Sequence, residues 1–465
     1  MKKIKIKRNF IKDILSSRDS INKNLHKIYL IIAVVFGIGL ALFMPFFNEP
    51  DGAYHYVNSS NIVGLSTDLS AQGETNKYFG YQFLHEKPNY QNGTFFEKYF
   101  KSQVTLTTKA NLPYGNQIPF VLSYQYIGHV IPGIGVWLGY HIYPSLGVMI
   151  VMARLFNFLV LSIGMFFIIR YVKKGKLAFA FVALSPVVMN NFASLSYDGL
   201  SFIISVALIA FVINTIILKK ITRQTIITMF LLSILMLIAV KTNFCLLLLF
   251  FPILLIVYWR EGLIVRKIKQ IWGSWSKNIK VSAIFGILVV GFAGFYVVSR
   301  NYGGLKHFIY KLLINQIYNF NPNINVNDIN TILIQPLATH NLMPFWLTWV
   351  GFALFIAILF LEEKFVENPT LSWTAIGIFI LNVLALYMAF FTGYASQSND
   401  LMGQIGGIQG RYVTPTLLLL IIFISNSKFK IKINSYKTVV LASFGFILLS
   451  NSLLLFDTLF TILRF

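Results

Sequence analysis

The run IYLIIAVVFGIGLALFMPFF, Ile28 to Phe47, followed at once by N-E-P-D-G-A-Y-H, Asn48 to His55, decides how this chain is read. An uncharged apolar run of about 20 residues is what a helix needs to cross a hydrocarbon layer of roughly 30 Å. Met1 to Lys27, ahead of it, carries nine Lys or Arg, the mark of a cytoplasmic tail. A signal peptide fits less well, because the run is long and no small-residue cleavage site follows it. The run is therefore expected to be a retained first span with its N-terminus inside, and Asn48 to His55 then falls just beyond the membrane. Two carboxylates and an imidazole stand there. Asn48 suits a helix cap and Pro50 a first turn, which predicts Asp51 near the positive helix end and His55 one turn on, on the same face.

Working outward, the 465 residues are 56% hydrophobic and only 12% charged, with a mean hydropathy of +0.68. That composition excludes a soluble domain and implies an integral membrane protein. A formal net charge of +23 suggests nucleic acid only until the cations are sorted by loop. Of 39 Lys and Arg, 27 fall in segments assigned to the inside, whereas 10 of 16 Asp and Glu fall outside, as the positive-inside bias requires. No nucleic-acid partner is called for, and the basic side is expected to attract anionic membrane lipids. The single Cys245 leaves no disulfide or Cys-based metal cluster. No H-E-x-x-H, P-loop or G-x-G-x-x-G occurs, so neither a dedicated metal site nor a nucleotide site is signalled.

Apolar runs recur at 146–169, 177–192, 200–218, 226–240, 244–258, 281–299, 342–361, 373–391, 412–424 and 439–456. With the first, they predict an all-α polytopic bundle of about 11 transmembrane helices. Residues 28–465 read as one transmembrane domain behind the tail 1–27, with a large first extracytoplasmic loop, 48–144, and a second, 300–341. Within the first loop, 118–143 is apolar but broken by Pro119, His129, Pro132 and several glycines, and reads as an interfacial or re-entrant helix pair. No internal or inverted repeat is visible.

Ionisable groups near the apolar phase cost about 2.5 to 3.5 kcal/mol at mid-membrane and so usually have a partner or a task. Four stand out: Arg154 within the second span, and Asp198, Lys241 and Arg411 at outer tips. Each has a plain structural alternative, snorkelling or interhelix bonding. Asp198, Lys241 and Arg411 share one side with Asp51, and glycines flank Arg411, which lets backbone and guanidinium approach a phosphate together. Outward acids and bases at a bilayer surface fit transfer of a sugar from a lipid-linked phosphate to a hydroxyl. Such a step needs a base for the acceptor, which a carboxylate partly removed from water supplies, and cations for the leaving phosphate. Tyr54, Tyr56, Tyr78, Tyr81, Tyr90, Tyr114, Tyr124 and Tyr126 offer rings for stacking on sugars, or for anchoring at the interface.

Six pieces carry a resemblance: P-D-G-A-Y-H at Pro50 to His55, the Tyr- and Pro-containing region Leu112 to Gly139, R-L-F-N at Arg154 to Asn157, and L-S-P through S-L-S-Y-D-G-L-S at Leu184 to Ser201. K-T-N-F at Lys241 to Phe244 and Q-G-R-Y-V-T-P at Gln409 to Pro415 complete it. In order and spacing the chain resembles a family of bacterial polytopic membrane proteins related to GT-C glycosyltransferases and often linked to cell-wall polysaccharide assembly. The resemblance implies a GT-C-like bundle, a polyprenyl-phosphate sugar donor, and a catalytic Asp in the first outer loop. That maps to Asp51, with His55 its neighbour. The family pattern reads P-D-E-x-x-H where Gly52 stands here; Glu49 is the nearest substitute, and a divalent metal is left open. Lys241 and Arg411 are expected to bind phosphate, with Asp198, Arg154, Gln409, Tyr412 and Glu49 as further substrate-binding candidates. A cell-wall or teichoic-type polymer is the expected acceptor. The rival readings are a transporter or flippase of a lipid-linked glycan, and a non-catalytic scaffold in a polysaccharide-assembly complex.

Overall fold

The computed structural model describes residues 17–47, 49–68, 93–106, 121–259, 262–320, 328–336, 343–394, 405–427 and 436–460. The cap expected of Asn48, most of the basic tail, and Tyr78, Tyr81, Tyr90 and Tyr114 lie outside the described residues.

Among the described residues the regular structure is helical apart from one two-stranded antiparallel ribbon, β1 (Thr67–Asp68) on β2 (Thr105–Leu106), and a single bridge between Gln103 and Ser145. In order come α1 (Arg18–Phe43), α2 (Gly52–Ile62), α3 (Gly93–Phe96), α4 (Tyr124–Gly128), α5 (Val130–Ile142), α6 (Leu146–Tyr171), α7 (Lys176–Ala183), α8 (Pro186–Phe192), α9 (Asp198–Leu218) and α10 (Arg223–Ala239). A tight turn of helix at Thr242–Leu249 runs into α11 (Phe250–Tyr258). Then follow α12 (Leu263–Ser274), α13 (Lys277–Ser299), α14 (Gly304–Asn319), α15 (Asn330–Leu333), α16 (Trp346–Leu361), α17 (Pro369–Tyr394), α18 (Leu419–Ser425) and α19 (Tyr436–Phe460). Five of these, α1, α6, α9, α17 and α19, are long and apolar enough to cross a membrane. The protein is an all-α membrane protein.

Local chemistry sets the helix starts. Ser17 caps α1 by accepting from Ser20 N at 3.1 Å, and Thr222 with Thr225 forms a reciprocal capping box on α10. At 1.5 Å per residue the 26 residues of α1 span about 39 Å, longer than the roughly 30 Å hydrocarbon layer. By the same measure the 13 residues of α5 reach only about 20 Å, too short to cross. Its glycines let it lie flat on α6: a Cβ on Gly139 would stand 2.7 Å from Met149 Cα.

One large apolar core joins α1, α6, α7, α8, α9 and α18 around Tyr29, Phe158, Phe179, Phe192 and Leu418. A second lies beneath α2, where Phe46, Tyr56, Tyr99 and Met149 meet. The bundle has two polar ends. At the starts of α1 and α17 and the finishes of α6, α9 and α16, Arg18 and Lys174 meet Glu363 at 3.3 and 2.7 Å, and Lys219 meets Glu367 at 2.6 Å. The candidate functional residues gather at the other end, where α1 finishes and α6 and α9 begin.

Candidate functional site

The entry to this end is a strained turn. Phe47 and Asp51 have φ of 56° and 58°, a left-handed conformation that costs a side-chain-bearing residue about 1 to 2 kcal/mol. The helix α2 begins at Gly52, directly after Asp51, whose side chain makes no capping bond. A Cβ on Gly52 would stand 2.6 Å from Phe47 Cα and 2.7 Å from its carbonyl carbon. That close backbone approach leaves room for glycine at this position. It also corrects two expectations. Asp51 is exposed and His55 buried, so the two do not share one face, and the Asp51 carboxylate is not withdrawn from water.

Behind that turn, Arg154 on α6 is fully buried. Its guanidinium donates to Met44 O at 2.5 Å, Pro45 O at 2.8 Å and Glu49 Oε2 at 3.1 Å. Glu49 Oε1 in turn accepts from Leu195 N at 3.3 Å. Two opposite charges cancel, and the last residues before the turn are tied to α6 and to the loop ahead of α9. Arg154 and Glu49 are thus placed as a clamp: both Nη atoms and both carboxylate oxygens are committed to backbone and to each other, and among the described residues only Nε of Arg154 is left without a partner.

Among the described residues the second buried charge cluster is unbalanced. Asp198 opens α9, Lys241 sits where α10 gives way to the tight helical turn, and Arg411 lies in the short helical turn Gly410–Tyr412. Lys241 Nζ is 2.7 Å from Asp198 Oδ1, and Arg411 Nε is 2.9 Å from Oδ2. One carboxylate therefore carries two cations. The contacts are short but off-axis, so neither Asp198 oxygen receives a well-aligned hydrogen bond. Tyrosine faces hold the cations in place: Lys241 Nζ lies 3.7 Å from the Tyr412 ring centroid and 4.8 Å from that of Tyr197, and the Arg411 guanidinium 5.3 Å from Tyr412. An uncompensated buried cation costs several kcal/mol, so the surplus charge among the described residues gives this end an affinity for anions.

Arg411 is positioned by a packed turn. Gly410 N donates to Thr331 Oγ1 at 2.7 Å and Thr414 Oγ1 to Ile332 O at 2.6 Å. A Cβ at Gly410 would run into Asp328 O and Ile332 N, so only glycine fits. Asp328 is itself held by Tyr387 at 2.6 Å and Asn315 at 2.9 Å. Beside Arg411, Gln409 Oε1 is buried with no hydrogen-bond partner among the described residues.

Residues 34–420, which contain this whole end of the bundle, match a family described as a predicted membrane protein (DUF2142). The chain belongs to that family. No curated protein and no solved structure matches this DUF2142 chain.

In this DUF2142 member the structure brings Asp198, Lys241, Arg411, Tyr412 and Gln409 together, with His55 in their electrostatic reach. Arg154 and Glu49 form a separate buried pair, and Asp51 is exposed. Two neighbours escaped the sequence reading. His129, between α4 and α5, has its Nε2 2.7 Å from His55 Nδ1, and the Tyr197 ring packs against both imidazoles at 4.9 and 5.4 Å. Their only signal was a lone His in an apolar stretch and a Tyr beside Asp198. Burial, then the neighbouring His129, holds the His55 imidazole well below its usual range. Burial likewise lowers His129 to about 4. Tyr54, whose ring touches both imidazoles, is pushed up to about 12 by burial, Tyr124 and Asp51. Both imidazoles are neutral at pH 7. Among the described residues no group of three or more His, Cys, Asp or Glu is arranged to hold a metal ion.

Proposed function

We propose that this protein is an inverting glycosyltransferase that moves a sugar from a polyprenyl-phosphate donor to a cell-envelope polysaccharide or teichoic-type acceptor on the extracytoplasmic face. The observation that carries the reading is the single Asp198 carboxylate bearing both Lys241 and Arg411. A surplus cation at the end of a membrane bundle suits a lipid-linked phosphate.

In this reading the bundle has eleven crossings: the five long helices, the broken pair α7 with α8, α10, the Thr242–Leu249 turn with α11, α13, α16, and the Thr414–Leu418 turn with α18. The N-terminus is cytoplasmic, which agrees with the basic residues Arg18, Lys174 and Lys219 at the end away from the site.

The step follows from the charges. An acceptor hydroxyl oxygen attacks the anomeric carbon, and its proton passes to the exposed Asp51 carboxylate. The bond from that carbon to the phosphate oxygen breaks, its electron pair stays on the phosphate, and Lys241 and Arg411 stabilise the charge that develops there. Attack opposite the leaving phosphate inverts the anomeric centre. The left-handed backbone of Asp51 supports a task for it, since strain of this kind gathers at functional sites. The candidate groups lie at one end of the bundle only, which favours surface chemistry over transport. Asp51→Asn tests the reading in purified protein given polyprenyl-phosphate hexoses and isolated wall polymer. Insertion and folding are expected to be unchanged and transfer abolished. Wild-type transfer by that variant removes Asp51 as the base.

A further inference from the structure

The two buried imidazoles form a chain whose direction is fixed by its far end. His129 Nδ1 is hydrogen-bonded to the Gln125 carbonyl, and a carbonyl only accepts, so Nδ1 carries the proton. A neutral His129 then has a bare Nε2. His55 Nδ1, 2.7 Å from that nitrogen, must be the donor, which leaves the proton of His55 on Nδ1 and a lone pair on its Nε2. The His55 side chain makes no other hydrogen bond among the described residues. It cannot turn away, because Tyr54 and Tyr197 pack edge-on against the ring at 5.5 and 4.9 Å. His129 is fully buried and His55 nearly so.

The site therefore has two halves of opposite hydrogen-bonding character. Lys241 and Arg411 only donate, and His55 Nε2 only accepts. Both halves touch Tyr197: His55 is centred 4.9 Å from its ring and Lys241 Nζ 4.8 Å from it, so they flank a single aromatic side chain. Phosphate oxygens suit the cations and are repelled by a nitrogen lone pair. A hydroxyl suits the nitrogen.

We propose that His55 Nε2 is the acceptor that reads a hydroxyl of the phosphosugar ligand, with His129 as the positioning residue that fixes its tautomer. This rests on the glycosyltransferase reading for the identity of the ligand, but the tautomer does not. The pair makes the site selective for a sugar-bearing lipid phosphate over the bare lipid phosphate that leaves after transfer.

Two measurements test this. Nitrogen-15 NMR of histidine-labelled protein in detergent, assigned with His129→Phe and His55→Phe, should find both rings neutral at pH 7 with the proton on Nδ1. Binding of polyprenyl phosphate and of its hexose esters should then separate the two halves. His55→Phe should weaken the hexose esters about tenfold, the loss of one hydrogen bond to a buried acceptor, and leave polyprenyl phosphate within about twofold. His129→Phe should do the same more weakly and move the His55 proton from Nδ1. The proposal is overturned if His55 is protonated at Nε2 or charged at pH 7, or if His55→Phe weakens both ligands alike or neither. Wild-type protein that binds no lipid phosphate at all removes the donor reading and the hydroxyl assignment with it, leaving the tautomer as a finding about the fold.

Discussion

Two buried charge clusters lie at the same end of this bundle and have opposite characters. In the first, Arg154 and Glu49 cancel, and the two Nη groups also reach the Met44 and Pro45 carbonyls, so that only Nε is left without a partner among the described residues. In the second, Asp198 faces two cations that it cannot neutralise. Asp198 and Arg411 are buried much as Arg154 and Glu49 are, and only Lys241 is partly exposed, so burial alone does not tell a clamp from a ligand site. The residual charge, and the number of polar atoms left without an aligned partner, does. A closed cluster stabilises the fold whatever is bound, whereas an open one waits for an anion.

The sharpest way to break this contrast is to unbalance each cluster in turn. Arg154→Met leaves Glu49 buried and two carbonyls without donors, and should cost about 3 to 5 kcal/mol of stability. Thermal unfolding in detergent measures it, and no anionic ligand should restore the loss. Asp198→Asn leaves Lys241 and Arg411 facing each other without a counter-ion, at a cost of about 3 kcal/mol, the lower end of the same range because Lys241 is partly exposed. Here polyprenyl phosphate should recover most of the loss, since a ligand at a hundredfold its Kd adds about 2.7 kcal/mol. Recovery of the Arg154 variant by the same ligand, or failure to recover the Asp198 variant, would erase the distinction.

Acid should strike this end of the molecule in a predictable direction. His129 is lowered from 6.5 to about 4 by burial, so between those values the unfolded chain binds more protons than the folded one. Its contribution is complete above pH 6.5 and is lost as pH falls toward 4. Unfolding midpoints taken across that window should decline, and His129→Phe should flatten the curve. At the opposite end, Glu363 bridges Arg18 and Lys174 in an exposed setting, where such pairs contribute about 0 to 1 kcal/mol. Glu363→Gln should shift the midpoint least of all.

Much of this was legible in the sequence, and the limits have physical causes. Apolar runs announce helices, so α1, α6, α9, α17 and α19 follow from hydropathy alone. The convergence of Asp198, Lys241 and Arg411 was also foreseeable, because ionisable groups at span tips on one side have few places to go. Arg154 was not assignable, since its partners Met44 and Pro45 are backbone atoms more than a hundred positions away. Asp51 is expected to be sheltered from its place just beyond the first span, whereas it sits exposed in a left-handed turn where the Phe47 backbone passes against Gly52. His129 was passed over as a break in an apolar stretch. Its meaning appears only when the fold lays α5 along α2.

The central claim is that the open cluster is a lipid-phosphate site, and its most direct test is the affinity of purified protein for polyprenyl phosphate, wild type against Lys241→Gln. A lost charge-assisted contact of about 2 to 3 kcal/mol predicts binding weakened on the order of a hundredfold with the fold intact. Equal affinity in the two proteins, or none in the wild type, contradicts it.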